Sequence, residues 1–201
     1  MGRVCVIRVC YQNSGGVWYG AAVQDNQVLA TCFSTGEADL SRLLVRLPEG
    51  AVFQVLEEPS LFLAKVLRAL ETVFYGKNHE KHGFNIDMKH LSGYSQKVLN
   101  CTSRVPVGYV TTYGAIAKVV GGIARSVGRV EASNPVPLLI PCHRVVCSDL
   151  KVGGYGYGEH VKMQILQQEE RGYEESKRLK VDDGELALFA VKRVKQNKES
   201  F

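Results

Sequence analysis

The chain has 201 residues, 45% of them apolar, and a formal net charge of +5, which suits a soluble protein with one large core or two small ones. No apolar run approaches the roughly 20 residues of a membrane span, and Arg3 and Arg8 sit inside the strand-like N-terminus where a leader would be uninterrupted. These features exclude a membrane protein and predict a soluble, intracellular one, while the small positive charge permits a nucleic-acid partner without requiring it.

Residues 3–11 are rich in Val, Ile and Cys and predict a strand, closed by the turn Asn13-Ser14-Gly15-Gly16. Residues 17–23 and 27–33 predict two more strands joined at Asp25-Asn26, so the chain opens with a β-meander. Residues 51–56 are a fourth strand candidate. Pro59-Ser60 then opens a helix with Phe62, Val66, Ala69, Leu70 and Val73 at helical spacing. Six cysteines stand at 5, 10, 32, 101, 142 and 147 with no Cys-x-x-Cys pair, unlike a disulfide-dense secreted scaffold. Cys5, Cys10 and Cys32 fall in adjacent predicted strands, which leaves a disulfide among them open. His79, His82 and His90 match no common metal spacing and are expected in a solvated loop.

From residue 92 the pattern turns helical. Residues 92–103 predict a helix stopped at Val105-Pro106-Val107-Gly108. Thr112 caps a second, with the stripe Tyr113, Ile116, Ala117 and Val120. Gly121-Gly122 breaks it, and Ile123, Val127 and Val130 begin a third that ends at Asn134-Pro135, giving a helix-turn-helix candidate. The other face of this third helix carries Arg125 and Arg129, four residues apart, among Ala124, Gly128 and Ala132. Small residues let a helix backbone approach nucleic acid, and the arginines meet phosphates or enter the base stack.

The chemistry concentrates in residues 134–147. Pro135, Pro137 and Pro141 restrict the backbone around Leu138-Leu139-Ile140 and deliver Cys142 and His143 at a rigid turn. A thiol becomes a strong nucleophile on losing its proton, so an adjacent imidazole is significant as a base. A base needs a third group to orient it, and Glu169 is the candidate. In the helix that starts near Glu159 it falls in angle between Ile165 and Leu166 on the core-facing stripe, where a carboxylate should be buried and paired.

Pro141-Cys142-His143-Arg144-Val145-Val146, preceded by Asn134-Pro135-Val136-Pro137, resembles the active-site signature of the O6-alkylguanine-DNA alkyltransferases. The likeness runs through Val105-Pro106-x-Gly108, Thr112-Tyr113-Gly114, Ala124-Arg125-Ser126-Val127-Gly128, Gly153-Gly154-Tyr155, Val161-Lys162 and Glu169, from about residue 92 to 170. It implies that Cys142 accepts the alkyl group, that His143 is its water-linked base and that Glu169 completes the relay. It further implies that Asn134 holds the turns of the site and that Tyr113 assists extrusion and leaving of the base. Arg125 would fill the gap in the duplex from a helix-turn-helix laid in the minor groove, with Thr112, Ala124, Ser126 and Arg129 at the DNA surface. Tyr113, Cys142, Val145, Tyr155 and Gly156 would contact the flipped base. Gly156 stands where the family often has a serine, so a side-chain donor is absent there, and Tyr157 occupies a variable loop position.

Taken together, the residue pattern and the resemblance predict an α+β protein: a small N-terminal sheet-plus-helix domain over 1–88, with a ribonuclease H-like arrangement as one option, and a mostly helical domain over 89–172. A charged extension, 173–201, follows and is expected to form a short appended hairpin or strand around Asp182-Asp183-Gly184. The implied reaction is a single, irreversible transfer of an alkyl group from O6 of guanine to Cys142, without cofactor or metal. Its partner would be double-stranded DNA bearing O6-alkylguanine, with O4-alkylthymine left open, acted on by a monomer in the cytoplasm at the nucleoid, or in the nucleus of a eukaryote. Two other classes compete: a damage-binding protein that only flags the lesion, which would have no need of Cys142, and a metal or redox sensor using Cys142, His143 and Cys147, which lacks further ligands at metal spacing.

Overall fold

The computed structural model describes residues 6–39, 41–77, 83–182 and 184–197; Cys5, His79, His82 and Asp183 lie outside the described residues. It is a mixed α+β structure with two sheets and, among the described residues, six α-helices. The described residues divide into two compact units, one drawn from 1–73, 79–90 and 135–139, the other from 74–78, 91–134 and 140–201.

In the first unit, β1 (Ile7–Ser14), β2 (Val17–Gln24) and β3 (Gln27–Ser34) form an antiparallel meander. Asp25 and Asn26 both take left-handed angles, φ 48° and 59°, the two-residue turn whose twist matches the strands it joins. After α1 (Ser41–Leu44), the short β4 (Phe53–Val55) pairs parallel with β1. A second short strand, β5 (Asn85–Ile86), pairs parallel with β3, giving the order β4-β1-β2-β3-β5. One core cluster gathers Ile7, Val9, Ala22, Leu29, Ala30 and Cys32 from the sheet with Leu43 from α1. Gly20 is forced by this packing: a Cβ there would lie 2.4 Å from the Tyr11 ring and 2.8 Å from the Cys32 sulfur. Cys10 and Cys32 are free thiols, so no bridge joins them.

The helix predicted after Pro59-Ser60 is α2 (Leu61–Phe74), which buries Leu63, Val66, Leu67 and Leu70 at helical spacing. Ser14 Oγ donates to Glu71 Oε1 at 2.7 Å, tying β1 to it. The chain re-enters this unit at 135–139: the Thr31 N–H donates to the Pro135 carbonyl at 2.9 Å and Thr31 Oγ1 to the Pro137 carbonyl at 2.8 Å. Leu138, buried in that segment, sits at φ 70°, a left-handed angle costly for a leucine.

The second unit holds α3 (Gly93–Ser103), β6 (Tyr109–Thr112), α4 (Tyr113–Val120), α5 (Ala124–Ala132), β7 (Val145–Val146), α6 (Glu159–Gln168), β8 (Lys177–Val181) and β9 (Gly184–Ala190). Its helices follow the sequence reading closely. Ser92 and Thr112 cap α3 and α4 by accepting the N–H groups of Ser95 and Ala115. No strand is predicted between residues 89 and 172, because β6 has only four residues and β7 two. Both join a sheet of order β7-β6-β9-β8, in which β6 runs parallel to β7 and antiparallel to β9. The C-terminal hairpin is therefore built into the sheet: β9 pairs with β6 through Tyr109↔Ala190 and Val110↔Phe189, and Thr111 Oγ1 donates to the Ala187 carbonyl at 2.8 Å. Val110, Val146, Val152, Leu166 and Val191 pack beneath it. Tyr173 stacks on Tyr109 with ring centroids 4.9 Å apart, and Lys177 Nζ lies 3.8 Å from the Tyr109 centroid.

Candidate active site

All the groups of this site belong to the second unit. Cys142, His143 and Arg144 form a single turn of 3₁₀ helix behind Pro141, whose ring fixes its φ at −81°. The Cys142 N–H donates to the Ile140 carbonyl at 2.8 Å, and Asn134 Nδ2 donates to the same carbonyl at 2.9 Å. Asn134, just past α5, therefore pins the backbone that enters the cysteine. Cys142 is 6% exposed. Burial pushes its thiol up to about 11, reinforced by the Glu131 carboxylate and opposed by a hydrogen bond from Asn134 and the charge of Lys162.

His143 and Glu169 are both fully buried, with Nε2 3.0 Å from Oε1. Arg144 completes the group: its Nε lies 2.8 Å from Glu169 Oε2, its Nη2 2.7 Å from Oε1, and its Nη1 donates to the Val105 carbonyl at 2.6 Å. Burial would raise the Glu169 carboxyl, yet the charges and hydrogen bonds of His143 and Arg144 bring it down to about 2. Burial holds the His143 imidazole below its ordinary value despite Glu169. An ionised carboxylate only accepts hydrogen bonds, so His143 Nε2 carries the proton and Nδ1 offers its lone pair. That Nδ1 is buried and has no hydrogen-bond partner among the described residues. The resting site is thus a neutral thiol, a neutral imidazole and an ionised carboxylate clamped by arginine.

Tyr113, Tyr155 and Lys162 are the groups coupled to Cys142 through their charges. Burial raises the phenols of Tyr113 and Tyr155; negative charge at Cys147 and Glu131 pushes that of Tyr113 further, and a Cys142 thiolate would do the same to Tyr155. Lys162 is fully buried; its Nζ donates to the Val145 carbonyl at 2.7 Å and to that of Gly154 at 3.4 Å, and lies 5.8 Å from the Tyr113 ring centroid. Burial lowers its ammonium to about 8, against the opposing pull of Cys142. Val145 is buried, whereas Gly156 is exposed. On α5, Val127, Val130 and Glu131 face inward, while Ala124, Arg125, Arg129 and Ala132 are exposed and Ser126 is half-buried. Thr112, expected at a DNA surface, is buried and spends its hydroxyl on the cap of α4.

Among the described residues no three His, Cys, Asp or Glu side chains gather as metal ligands would, and no helix is long and apolar enough to cross a membrane. Arg144, Lys162 and Glu131 are not among the residues to which the sequence pattern assigns a role. A charged residue within an apolar stripe was the available signal for the last two.

A thiol beside an imidazole that is itself oriented by a carboxylate is the equipment of a cysteine nucleophile. The family model described as "6-O-methylguanine DNA methyltransferase, DNA binding domain" matches residues 93–171. The methylated-DNA–protein-cysteine methyltransferase of Methanocaldococcus vulcanius is 34% identical over 138 residues, covering 65% of this chain and 85% of the relative. That of Pyrobaculum aerophilum is 52% identical over 62 residues, 31% of this chain and 42% of the relative. The crystal structure of O6-methylguanine-DNA methyltransferase from Pyrococcus kodakaraensis aligns with a TM-score of 0.61 at 26% identity, covering 82% of this chain and 99% of that one. The chain belongs to the methylated-DNA–protein-cysteine methyltransferase family. Strands β8 and β9 lie beyond the residues matched by the family model.

Proposed function

We propose that this protein repairs alkylated DNA by direct reversal, moving the alkyl group from O6 of a flipped-out guanine onto Cys142. The observation that carries this reading is the Cys142 turn backed by the buried His143–Glu169–Arg144 group. His143 Nδ1, directly or through one water, takes the thiol proton, and Glu169 stabilises the imidazolium so formed. The thiolate attacks the saturated carbon: the S–C bond forms as the C–O6 bond breaks, the bonding pair stays on O6, and the guanine anion is protonated with Tyr113 assisting. The products are S-alkylcysteine and unmodified guanine. The thioether is inert, so each molecule acts once, and no cofactor takes part. Extrusion of the base is required because the sulfur cannot reach that carbon inside a stacked duplex.

In this reading double-stranded DNA bearing O6-alkylguanine meets a helix-turn-helix formed by α4 and α5, and Tyr155, Gly156 and the Val145 carbonyl line the base pocket. Residues 89–172 make up the transfer domain, 173–201 its extension and 1–88 a separate domain. A ribonuclease H-like arrangement of that domain is supported by its strand order β3-β2-β1-β4 with β4 parallel to β1. In this reading the protein acts as a monomer at the DNA of the nucleoid or nucleus.

Intact-protein mass spectrometry after mixing with a methylated duplex is expected to find one methyl per molecule, mapped to Cys142. Cys142→Ser should gain none while still binding DNA. A methyl recovered on Cys147 or Cys101 would overturn the assignment. The two exposed arginines of α5 should separate in role. Arg125→Ala is expected to slow repair far more than it weakens binding, because it acts on the flipped state. Arg129→Ala should lower affinity and flatten its salt dependence by about one phosphate contact. Proportional loss of binding and repair in both variants would refute this division.

A further inference from the structure

Residues 135–141 carry three of the chain's six prolines and lead straight into the Cys142 turn. Within them Leu138 is buried at φ 70°, a left-handed angle that bulky side chains disfavour. Such an angle persists only where the surroundings over-determine it. Pro135, Pro137 and Pro141 bring no N–H of their own, so these positions are held through their carbonyls. Each carbonyl accepts a hydrogen bond: Pro135 from the Thr31 N–H at 2.9 Å, Pro137 from Thr31 Oγ1 at 2.8 Å and Pro141 from the Arg144 N–H at 2.8 Å. Thr31 supplies two of the three. It is fully buried on β3, beyond Val28, where the pairing with β5 ends among the described residues. One residue, Leu139, separates Leu138 from Ile140, whose carbonyl accepts from both the Cys142 N–H and Asn134 Nδ2.

We propose that Thr31, which lies outside the residues matched by the family model, is a positioning residue for alkyl transfer. Its two donors hold the carbonyls on either side of Val136 and thereby keep Leu138 at its left-handed angle. A buried carbonyl deprived of its donor is costly, so without the Thr31 hydroxyl the Pro137 carbonyl turns to find another. Leu138 then relaxes towards the right-handed or extended regions, and the Ile140 carbonyl that seats the Cys142 N–H turns with it. The sulfur meets its carbon less well in line, and a displacement of about 1 Å can cost about a hundredfold in rate. DNA binding is left alone, because Arg125 and Arg129 stand on α5, ahead of this segment. This inference rests on the reading of Cys142 as the alkyl acceptor.

The test uses the full-length protein and three variants. Thr31→Val and Thr31→Ala remove the hydroxyl, with and without a methyl group in its place, and Thr31→Ser keeps it. Single-turnover methyl transfer is measured over a range of duplex concentrations, at a temperature where circular dichroism shows the variants folded. In Thr31→Val and Thr31→Ala the rate at saturation is expected to fall by about tenfold or more, with half-saturation moved less than about twofold. Thr31→Ser should stay within about threefold of wild type, since its hydroxyl still reaches the Pro137 carbonyl. The second readout is iodoacetamide modification of each cysteine without DNA, followed by peptide mass spectrometry. This small reagent needs no fixed pose, so its attack on Cys142, 6% exposed, should quicken as the turn loosens. Cys10, Cys32 and Cys101, also buried, should be unaffected. Equal quickening at all four would mean general loosening and overturn the proposal. An unchanged transfer rate in Thr31→Ala, or a loss that Thr31→Ser shares, would overturn it too, and Thr31→Ala decides if the added methyl of Thr31→Val prevents folding. Selective quickening at Cys142, in a protein whose wild type transfers no methyl group, would uphold the positioning and sink the repair reading instead.

Discussion

Glutamine at position 169 is expected to destabilise the second unit by about 3–5 kcal/mol and to slow alkyl transfer by about a hundredfold or more. The Glu169 carboxylate is fully buried and accepts from His143 Nε2, Arg144 Nε and Arg144 Nη2. An amide keeps the shape but removes the charge. The Arg144 guanidinium, whose side chain is only 11% exposed, is then left without its counter-ion, and His143 loses the group that fixes which nitrogen is basic. The pH dependence follows from the carboxyl's fall to about 2 from an ordinary 4.5. Because the folded value is the lower one, this contribution is fully present above about pH 4.5 and is lost as pH falls towards 2. Urea unfolding of wild-type and Glu169→Gln protein at neutral and acid pH measures it. The gap between the two should narrow on acidification, and a neutral-pH loss below about 1 kcal/mol would remove Glu169 from the role given to it.

Gly76→Ala should be comparably damaging although it touches none of the chemistry. Gly76 sits at φ 62°, and a Cβ there would lie 2.1 Å from the Gln168 carbonyl oxygen, 2.3 Å from its carbon and 2.8 Å from the Glu169 nitrogen. These are backbone atoms, so no rotamer change relieves the overlap, and a loss of about 3 kcal/mol or more is expected. The atoms that must yield end α6 and carry Glu169, and Arg171, which donates to the Gly76 carbonyl, would move with them. Transfer should therefore slow along with the fall in melting temperature. Gly93→Ala is the control, since nothing lies within 4 Å of its Cβ position. Equal melting temperatures for the two variants would show that this end of α6 gives way freely.

What the sequence made legible was mostly local. The meander announces itself because β-branched runs alternate with Asn13-Ser14-Gly15-Gly16 and Asp25-Asn26, turn residues that tolerate left-handed angles. Cys142 and His143 are adjacent, and Glu169 betrays itself as a carboxylate on the Val161, Ile165, Leu166 stripe. The same pattern at Glu131, beside Val130 and four residues after Val127, is equally readable, but its partner, the Thr102 hydroxyl, lies 29 residues away and is not. Arg144 lies next to the pair, yet its aim at Glu169 and the Val105 carbonyl is set by the 3₁₀ turn, which spacing does not reveal. Strands β6 and β7 are too short to show a period, and the partners that define them lie far along the chain. Gly76 answers to Gln168, a contact equally remote in sequence.

The pairing of β9 with β6 also sets an order in time. Tyr109 and Val110 leave the ribosome well before Ala190 and Phe189, their ladder partners, and at about 5–20 residues per second the interval is one of seconds. Throughout it, one edge of the strand that delivers the Thr112 cap and Tyr113 has no neighbour to satisfy its amides, and such an edge invites strands from other chains. Maturation of this unit is therefore delayed beyond synthesis of its own reactive turn. A nascent chain halted before Gly184 already holds Cys142, His143 and Glu169 while lacking the strand that closes their sheet, and it is the species a chaperone has most reason to meet.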